Sequence, residues 1–386
     1  MPHPDGRYAA EDELSTASDP DPVATERLPW VDVAKAGAII LVVLFHVAGA
    51  GVAFLLPNAQ DFWLSAWKAV SAFLVPVRMP LFFLMSGLLA TAAIQRPWRL
   101  LVRPRFANLL WPYLLWSVAF SLVYGFAVAP ADPFTLILSS FVTIGFGGNA
   151  YWFLTTLVVL FTVARIFRRW GTALVLVAFL SWLLVPVIQP ILDGILPTDL
   201  ATNVGRWATF ALWFFLGCFA TRTVHRVAAL PLFPLLPLAA AGYGAMVWVY
   251  YVVGNRDVPW TIGLNVVGLL TAVQLSVLLS RNARVATAGS RIARRTLPIY
   301  LLHPFFIYAA VAIGHLPGNP IRLPVDSGLV NALFVPLVTG GLVWVSMAIY
   351  DAAMRGPLNL AFAPPRRRGQ TGKVAVQSSQ GPLDRS

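Results

Sequence analysis

The sequence predicts an all-α fold, a polytopic transmembrane helical bundle of about ten spans. Three observations predict it. Hydrophobic residues make up 58% of the 386-residue chain and charged residues only 11%, with a mean hydropathy of +0.73, against about 25% charged residues in an ordinary soluble domain. Ten apolar runs approach or exceed the ~20 residues that cross a ~30 Å hydrocarbon core at 1.5 Å per residue. Arginine, finally, gathers in every second loop, the pattern of a chain that crosses a membrane repeatedly.

Residues 1–26 are polar and acidic (Asp5, Glu11, Asp12, Glu13, Asp19, Asp21, Glu26), the opposite of a secretory leader, and are expected to form a disordered cytoplasmic tail. The transmembrane domain is expected over 27–355, with spans near 31–56, 67–93, 106–128, 151–167, 171–192, 206–220, 229–253, 260–280, 296–314 and 328–350. The apolar stretch from Phe134 to Ile144 is too short to cross and is expected to be re-entrant or interfacial. With the N-terminus inside, the inner loops hold Arg96, Arg99, Arg103 and Arg105, then Arg165, Arg168 and Arg169, then Arg222 and Arg226, then Arg281, Arg284, Arg291, Arg294 and Arg295. The outer loops and flanks hold only Lys68, Arg206, Arg256 and Arg322. This places both termini in the cytoplasm of a multi-pass plasma (inner) membrane protein. Trp30, Trp67, Trp111, Tyr151 and Trp260 fall at span ends, as interfacial anchors do. Residues 356–386, with the run Arg366-Arg367-Arg368, are expected to be a basic, disordered cytoplasmic tail facing anionic lipid.

Composition also excludes. The formal charge of +12 is accounted for by inner loops, so it argues for membrane lipid and against nucleic acid as a partner. One cysteine, Cys218, rules out an intrachain disulfide and any multi-cysteine metal site, and no metal ligand set is apparent. No glutamate follows Glu26, so a paired-carboxylate glycosidase mechanism lacks its reagents. The absence of an internal repeat counts against inverted-repeat transporters.

Against this apolar background a few ionisable residues stand out, and such residues inside a span are functional candidates by default. Lys35 and His46 share the first span. Eleven positions at ~100° per residue bring both to nearly one face, ~16 Å apart along the axis. Arg78 in the second span comes out at a depth similar to His46. His303, in the ninth span, and Ser86 come out shallower, ~10 Å from the inner surface. A column of polar groups thus leads from the cytoplasm toward the membrane centre.

Four stretches together resemble the integral-membrane acyltransferase 3 family, which O-acylates sugars and other cell-surface molecules. Lys35 and His46, with Asp32 before them, match its basic-residue, ten-residue, histidine signature. Met79-Pro80-Leu81-Phe82-Phe83 through Ser86-Gly87 matches its second span, and Arg103-Pro104-Arg105 its Arg-x-Arg. Thr296 to His303 (TLPIYLLH) is similar to its penultimate span. Softer matches are Trp152-Phe153-Leu154 and Phe214-Phe215-Leu216-Gly217. Many members carry arginine where this chain has Lys35; lysine occurs there in relatives that resemble fucose 4-O-acetylase.

The resemblance implies acyl transfer from acyl-CoA, with acetyl-CoA the expected donor, to a hydroxyl of a cell-envelope glycan or lipid-linked sugar. Such a reaction needs a base for the hydroxyl proton and donors for the oxyanion. His46 is the expected general base, since histidine titrates near ~6.5; the alternative is a core histidine bonded to a neighbour. His303 either orients His46, contacts the thioester or binds acceptor, or is only a polar link between helices. Arg78 either holds acceptor hydroxyls or the oxyanion, or snorkels to the outer interface. Lys35, Arg103 and Arg105 are expected to hold the phosphates of coenzyme A, with Arg294 and Arg295 weaker candidates; Lys35 could instead pair with Asp32. Ser86 and Trp152 are substrate-binding candidates, Trp152 as a platform for a sugar ring at the outer mouth. The rival function is a transporter or flippase for a glycan or anionic substrate.

Overall fold

A computed structural model describes residues 28–56, 62–254, 257–318 and 328–365. The acidic tail, the triple arginine, Arg256 and Arg322 lie outside the described residues. Those described are helical, without a strand. Among the described residues, eight helices are long and apolar enough to cross a membrane: α1 (Pro29–Leu55), α2 (Phe62–Ala90), α3 (Arg105–Val128), α6 (Thr172–Ile195), α9 (Leu232–Val253), α10 (Val258–Ser280), α12 (Thr296–Gly314) and α13 (Gly328–Ala353). Between them lie α4 (Pro133–Gly145), α5 (Trp152–Ile166), α7 (Thr198–Phe219), α8 (Thr221–Ala228) and α11 (Ala283–Ala293). The pair α7 and α8, bent by 82°, makes a ninth apolar unit. Every span expected from hydropathy is therefore a helix, but the one near 151–167 is only 15 residues long, too short to cross alone.

The reason is a broken span. Tyr113, about 12 Å from the start of α3 by helical rise, donates its hydroxyl to Ile144 O (2.7 Å). So α4 runs back along α3, from Gly125 against Ile137 near the end of α3 to Ile144 in the middle of the bundle. The chain then turns at mid-depth and α5 carries it on toward the start of α3, where Phe161 meets Phe106 and Arg165 donates to Arg96 O (3.0 Å). Residues 146–151 turn through left-handed backbone at Gly147 (φ 75) and Asn149 (φ 79), conformations that glycine and asparagine tolerate best. Backbone at membrane depth must have its polar groups met by protein, and here side chains meet them. Asn203 Nδ2 donates to Phe146 O (2.8 Å), Thr155 Oγ1 to Gly147 O (3.1 Å) and Tyr300 Oη to Ala150 O (2.9 Å).

At the centre of the bundle, α1 packs against α2, α10, α11, α12 and α13. In α2 and α12 half of the most apolar 18 residues are buried, against 17% in α6 and α9. The helices that carry the ionisable residues thus form the core. The closest crossing joins α2 to α7 through two glycines. A Cβ on Gly87 would meet the carbonyl oxygen of Phe214, and one on Gly217 that of Leu84. These are the last residues of two of the sequence motifs, and small residues are what lets membrane helices approach this closely.

Prolines inside spans remove a backbone donor and strand a carbonyl one turn earlier. Aromatic side chains cap two of these: Tyr251 Oη donates to Ala72 O below Pro76 (3.0 Å), and Trp67 Nε1 to Ala332 O below Pro336 (2.8 Å). Residues 356–365, counted with the tail in the sequence reading, fold back on α3. The turn Pro357–Ala361 accepts from Trp111 Nε1 (2.7 Å) and Trp116 Nε1 (2.8 Å).

Candidate active site

His46 closes the α-helical part of α1 and is followed by a π-helical turn, Val47–Gly51, of sequence VAGAG. Wider turns of this kind re-aim side chains and recur at functional sites; small residues allow it here without crowding. The imidazole of His46 lies 5.2 Å from that of His303, centroid to centroid, with the planes 50° apart. Counted from the first residues of their helices the two would differ by about 15 Å in depth, so the unequal depths expected from sequence are corrected. The helix α11 crosses α1 with Gly289 against Val33, one turn inside α1, so α12 starts deeper than α1 does.

His303 is fully buried, and its Nδ1 lies 2.8 Å from Ile299 O. A carbonyl only accepts, so Nδ1 carries the hydrogen. In the neutral ring Nε2 is then an acceptor, and this buried atom has no partner among the described residues. One turn before it, Tyr300 lies 6.0 Å from the His303 ring. Its hydroxyl donates to Ala150 O and accepts from Phe153 N (3.3 Å), while Tyr151 Oη donates to Leu301 O (2.8 Å). This reciprocal clasp ties the broken span to α12 beside the histidines.

Two cavities meet at the clasp. The first, of about 280 Å³, is bordered by the cations Lys35, Arg105 and Arg294, and is lined also by Ser86, Phe153 and Tyr300. No acidic residue lines it among the described residues. Arg105 belongs to a second π-helical turn, Val102–Ala107; it donates to Leu89 O (3.4 Å) and lies 5.5 Å from the Phe161 ring. Arg103 shares that turn, and its side chain is outside the described residues. Arg294 donates to Ser290 Oγ (3.1 Å). Arg295 instead makes a two-pronged pair with Asp351 (2.8 and 2.9 Å), the only ion pair among the described residues. Those bonds to the carboxylate raise its pKa above the ordinary guanidinium value. Ser86 sits on the wall of this cavity with its hydroxyl donated to Phe82 O of its own helix (2.8 Å).

The second cavity, of about 420 Å³, lies on the far side of the clasp and contains His46. Its polar lining is neutral for the most part: Ser121, Tyr124, Ser139, Thr143 and Asn149, with Asp199 and Arg206 at one edge. Ser121 Oγ and Asn149 Nδ2 are buried without partners among the described residues. Thr143 Oγ1 donates to Asp199 Oδ2 (2.7 Å), which fastens α4 to α7.

Arg78 does not enter this second cavity. Its guanidinium lies 3.8 Å from the centroid of the Phe45 ring, next to His46, and faces a third cavity of about 450 Å³. Trp152 borders that third cavity as well, stacked on Phe210 (5.4 Å) with Arg206 4.7 Å above its ring. The expected position of Trp152 at an outer mouth is corrected, because α5 begins at mid-depth. Tyr151, expected as an interfacial anchor, is likewise fully buried. Arg206, counted as an outer flank, lies inside α7, since that helix starts at Thr198. Tyr300, Arg206, Asn149 and Asp199 escaped the sequence reading. Only Tyr300 carried a signal, standing between two motif residues.

The chain matches a family described as an acyltransferase domain, the acyltransferase 3 family, over residues 28–351. No curated protein and no solved structure matches it.

Proposed function

The chain belongs to the acyltransferase 3 family, and from that premise we propose that it moves an acyl group from acyl-CoA to a hydroxyl, with His46 as general base. One observation carries the proposal: a cation-bordered cavity lined by Tyr300 and a mostly neutral polar cavity lined by His46 and Ala150 flank the Tyr300–Ala150 bond, with His303 beside both His46 and Tyr300. Guanidinium forks suit phosphates, so Lys35, Arg105 and Arg294 hold the phosphates of coenzyme A, joined by Arg103. The thioester reaches past Ser86 toward the clasp. Loop charge favours a cytoplasmic position for this mouth, the compartment that holds acyl-CoA.

The acceptor occupies the second cavity, where Asn149, Ser121 and Asp199 offer bonds to hydroxyls. A cell-envelope glycan or lipid-linked sugar fits that lining. His46 takes the hydroxyl proton as the oxygen attacks the thioester carbon; the C–S bond breaks, and coenzyme A leaves as the thiol with that proton. His303, which keeps Nδ1 on the Ile299 carbonyl, acts as a positioning residue that holds His46 at ring contact. Purified protein in detergent, given labelled acetyl-CoA and an envelope glycan fraction, is expected to release thiol and label the glycan in equal amounts. Glycan movement across proteoliposomes without thiol release would overturn the proposal in favour of a transporter.

A further inference from the structure

The third cavity has a composition that the acyl-transfer reading does not use. It is walled by Trp152, Phe210 and Trp213 and carries two guanidiniums, Arg78 and Arg206, with Thr209 and Asn265 as further polar groups. No acidic residue lines it among the described residues. Arg78 is 8% exposed and, among the described residues, makes no hydrogen bond or ion pair; its guanidinium lies against the Phe45 face. Arg206 spends one N–H on Asn203 Oδ1 (3.0 Å). Asp199, two turns earlier on the same helix, is held by Thr143 and forms no ion pair with Arg206. One buried and one half-buried cation on a single aromatic cavity inside a membrane bundle are costly without a counter-charge.

We infer that this cavity is a binding site for a phosphate or diphosphate group carried by a membrane amphiphile, gripped by Arg78 and Arg206. The charge sets the class: two guanidiniums balance a group of charge near −2, as a phosphate monoester has, whereas a carboxylate would balance one. Their planar forks bind phosphate oxygens bidentately. Tyr250 and Tyr251 line the same cavity from the π-helical turn Val249–Val253. Exposed Val75 and Tyr251 border it on the flank of the bundle, which gives an attached hydrocarbon chain a way out between α2 and α9. Arg206 also lines the cavity that holds His46, so a sugar linked through a diphosphate, which keeps two charges when esterified at both ends, would extend from the one cavity into the other. That last step rests on the acyl-transfer reading; the anion site itself does not.

The test uses the full-length protein in detergent with saturating coenzyme A present, so that the other cationic cavity does not compete. Farnesyl diphosphate is the probe, with farnesol and inorganic diphosphate as competitors. Wild type is expected to bind the probe saturably. Arg78→Gln and Arg206→Gln are each expected to weaken it by about tenfold or more, and Arg78→Lys to recover part of the loss. Farnesol should not compete. Inorganic diphosphate competing only at much higher concentration assigns the site to a lipid-borne phosphate; competing equally, it assigns the same site to a soluble phosphate ester. Wild-type affinity in both glutamine variants, or equal competition by farnesol, overturns the inference. If Arg78→Gln does not elute as a monodisperse species, Arg206→Gln alone decides. Coenzyme A binding, recorded on the same samples, reports on the acyl-transfer reading and not on this site.

Discussion

The cavity bordered by Lys35, Arg105 and Arg294 and the cavity bordered by His46, Asn149 and Asp199 are separated by the clasp of Tyr300, yet they are made differently. The first is a gap between helices, and its charged groups are cations on long side chains. The second is lined by a turn in the middle of a broken span, and most of its polar groups are hydroxyls and amides. Charge at the first suits a ligand recognised by its phosphates; short neutral donors and acceptors at the second suit one recognised by hydroxyls. On the acyl-transfer reading, the difference teaches that one bundle would handle two unlike substrates by giving one a gap set with cations and the other a turn lined with hydroxyls and amides.

The largest effect is expected where both cavities depend on one contact. Gly217→Val would push a branched side chain into the carbonyl oxygen of Leu84 on α2, and neither helix can yield without moving the walls of the first cavity. Size-exclusion profiles should show loss of the monodisperse protein; a variant that elutes and binds coenzyme A normally would refute the close crossing. Next, Arg105→Ala removes a charged donor worth ~1.5–3 kcal/mol to a phosphate, so the KM for acyl-CoA should rise by about 10- to 100-fold. The KM for acceptor should stay within about twofold of wild type, given the separation of the cavities. An equal rise in both would erase the distinction between them.

Asn149→Ala should do the converse. It removes an amide on the wall of the second cavity whose Nδ2 is buried without a partner among the described residues and whose Oδ1 accepts from Tyr151 N (2.7 Å). Steady-state kinetics are expected to give an acceptor KM about tenfold higher and an unchanged donor KM, in keeping with one lost hydrogen bond. The smallest effect should come from Tyr300→Phe, which deletes the bonds to Ala150 O and from Phe153 N. At ~0.5–1.5 kcal/mol each this should lower the unfolding midpoint by a few degrees. An unchanged midpoint would mean that the clasp does not hold the partition.

The contrast between the cavities is also one of legibility. His46, His303 and Arg78 could be found because an ionisable residue in an apolar run stands out, and Arg105 because it falls in a short motif. Hydropathy marked each apolar span as a helix, but not α8 and α11, whose arginines made them read as inner loops. The broken span did not, because its turn is stabilised by residues distant in sequence: Tyr113, Asn203 and Tyr300 satisfy carbonyls that no local pattern marks. Arg206 was misplaced because Asp199, Thr202 and Asn203 make the first turns of α7 look like a loop. Depth counted along single helices failed for the histidine pair, since α12 does not start level with α1. What the sequence left hidden was mostly the relation between helices.

At the junction of the two cavities, His46 carries the central claim, and one comparison tests it most directly. Wild type and His46→Ala, purified in detergent and matched for coenzyme A binding, would be given labelled acetyl-CoA and a glycan acceptor. A positioned base contributes ~10²–10⁴-fold, so transfer by the variant should fall by about 10³-fold with coenzyme A binding intact. Transfer at the wild-type rate in that variant would contradict the account.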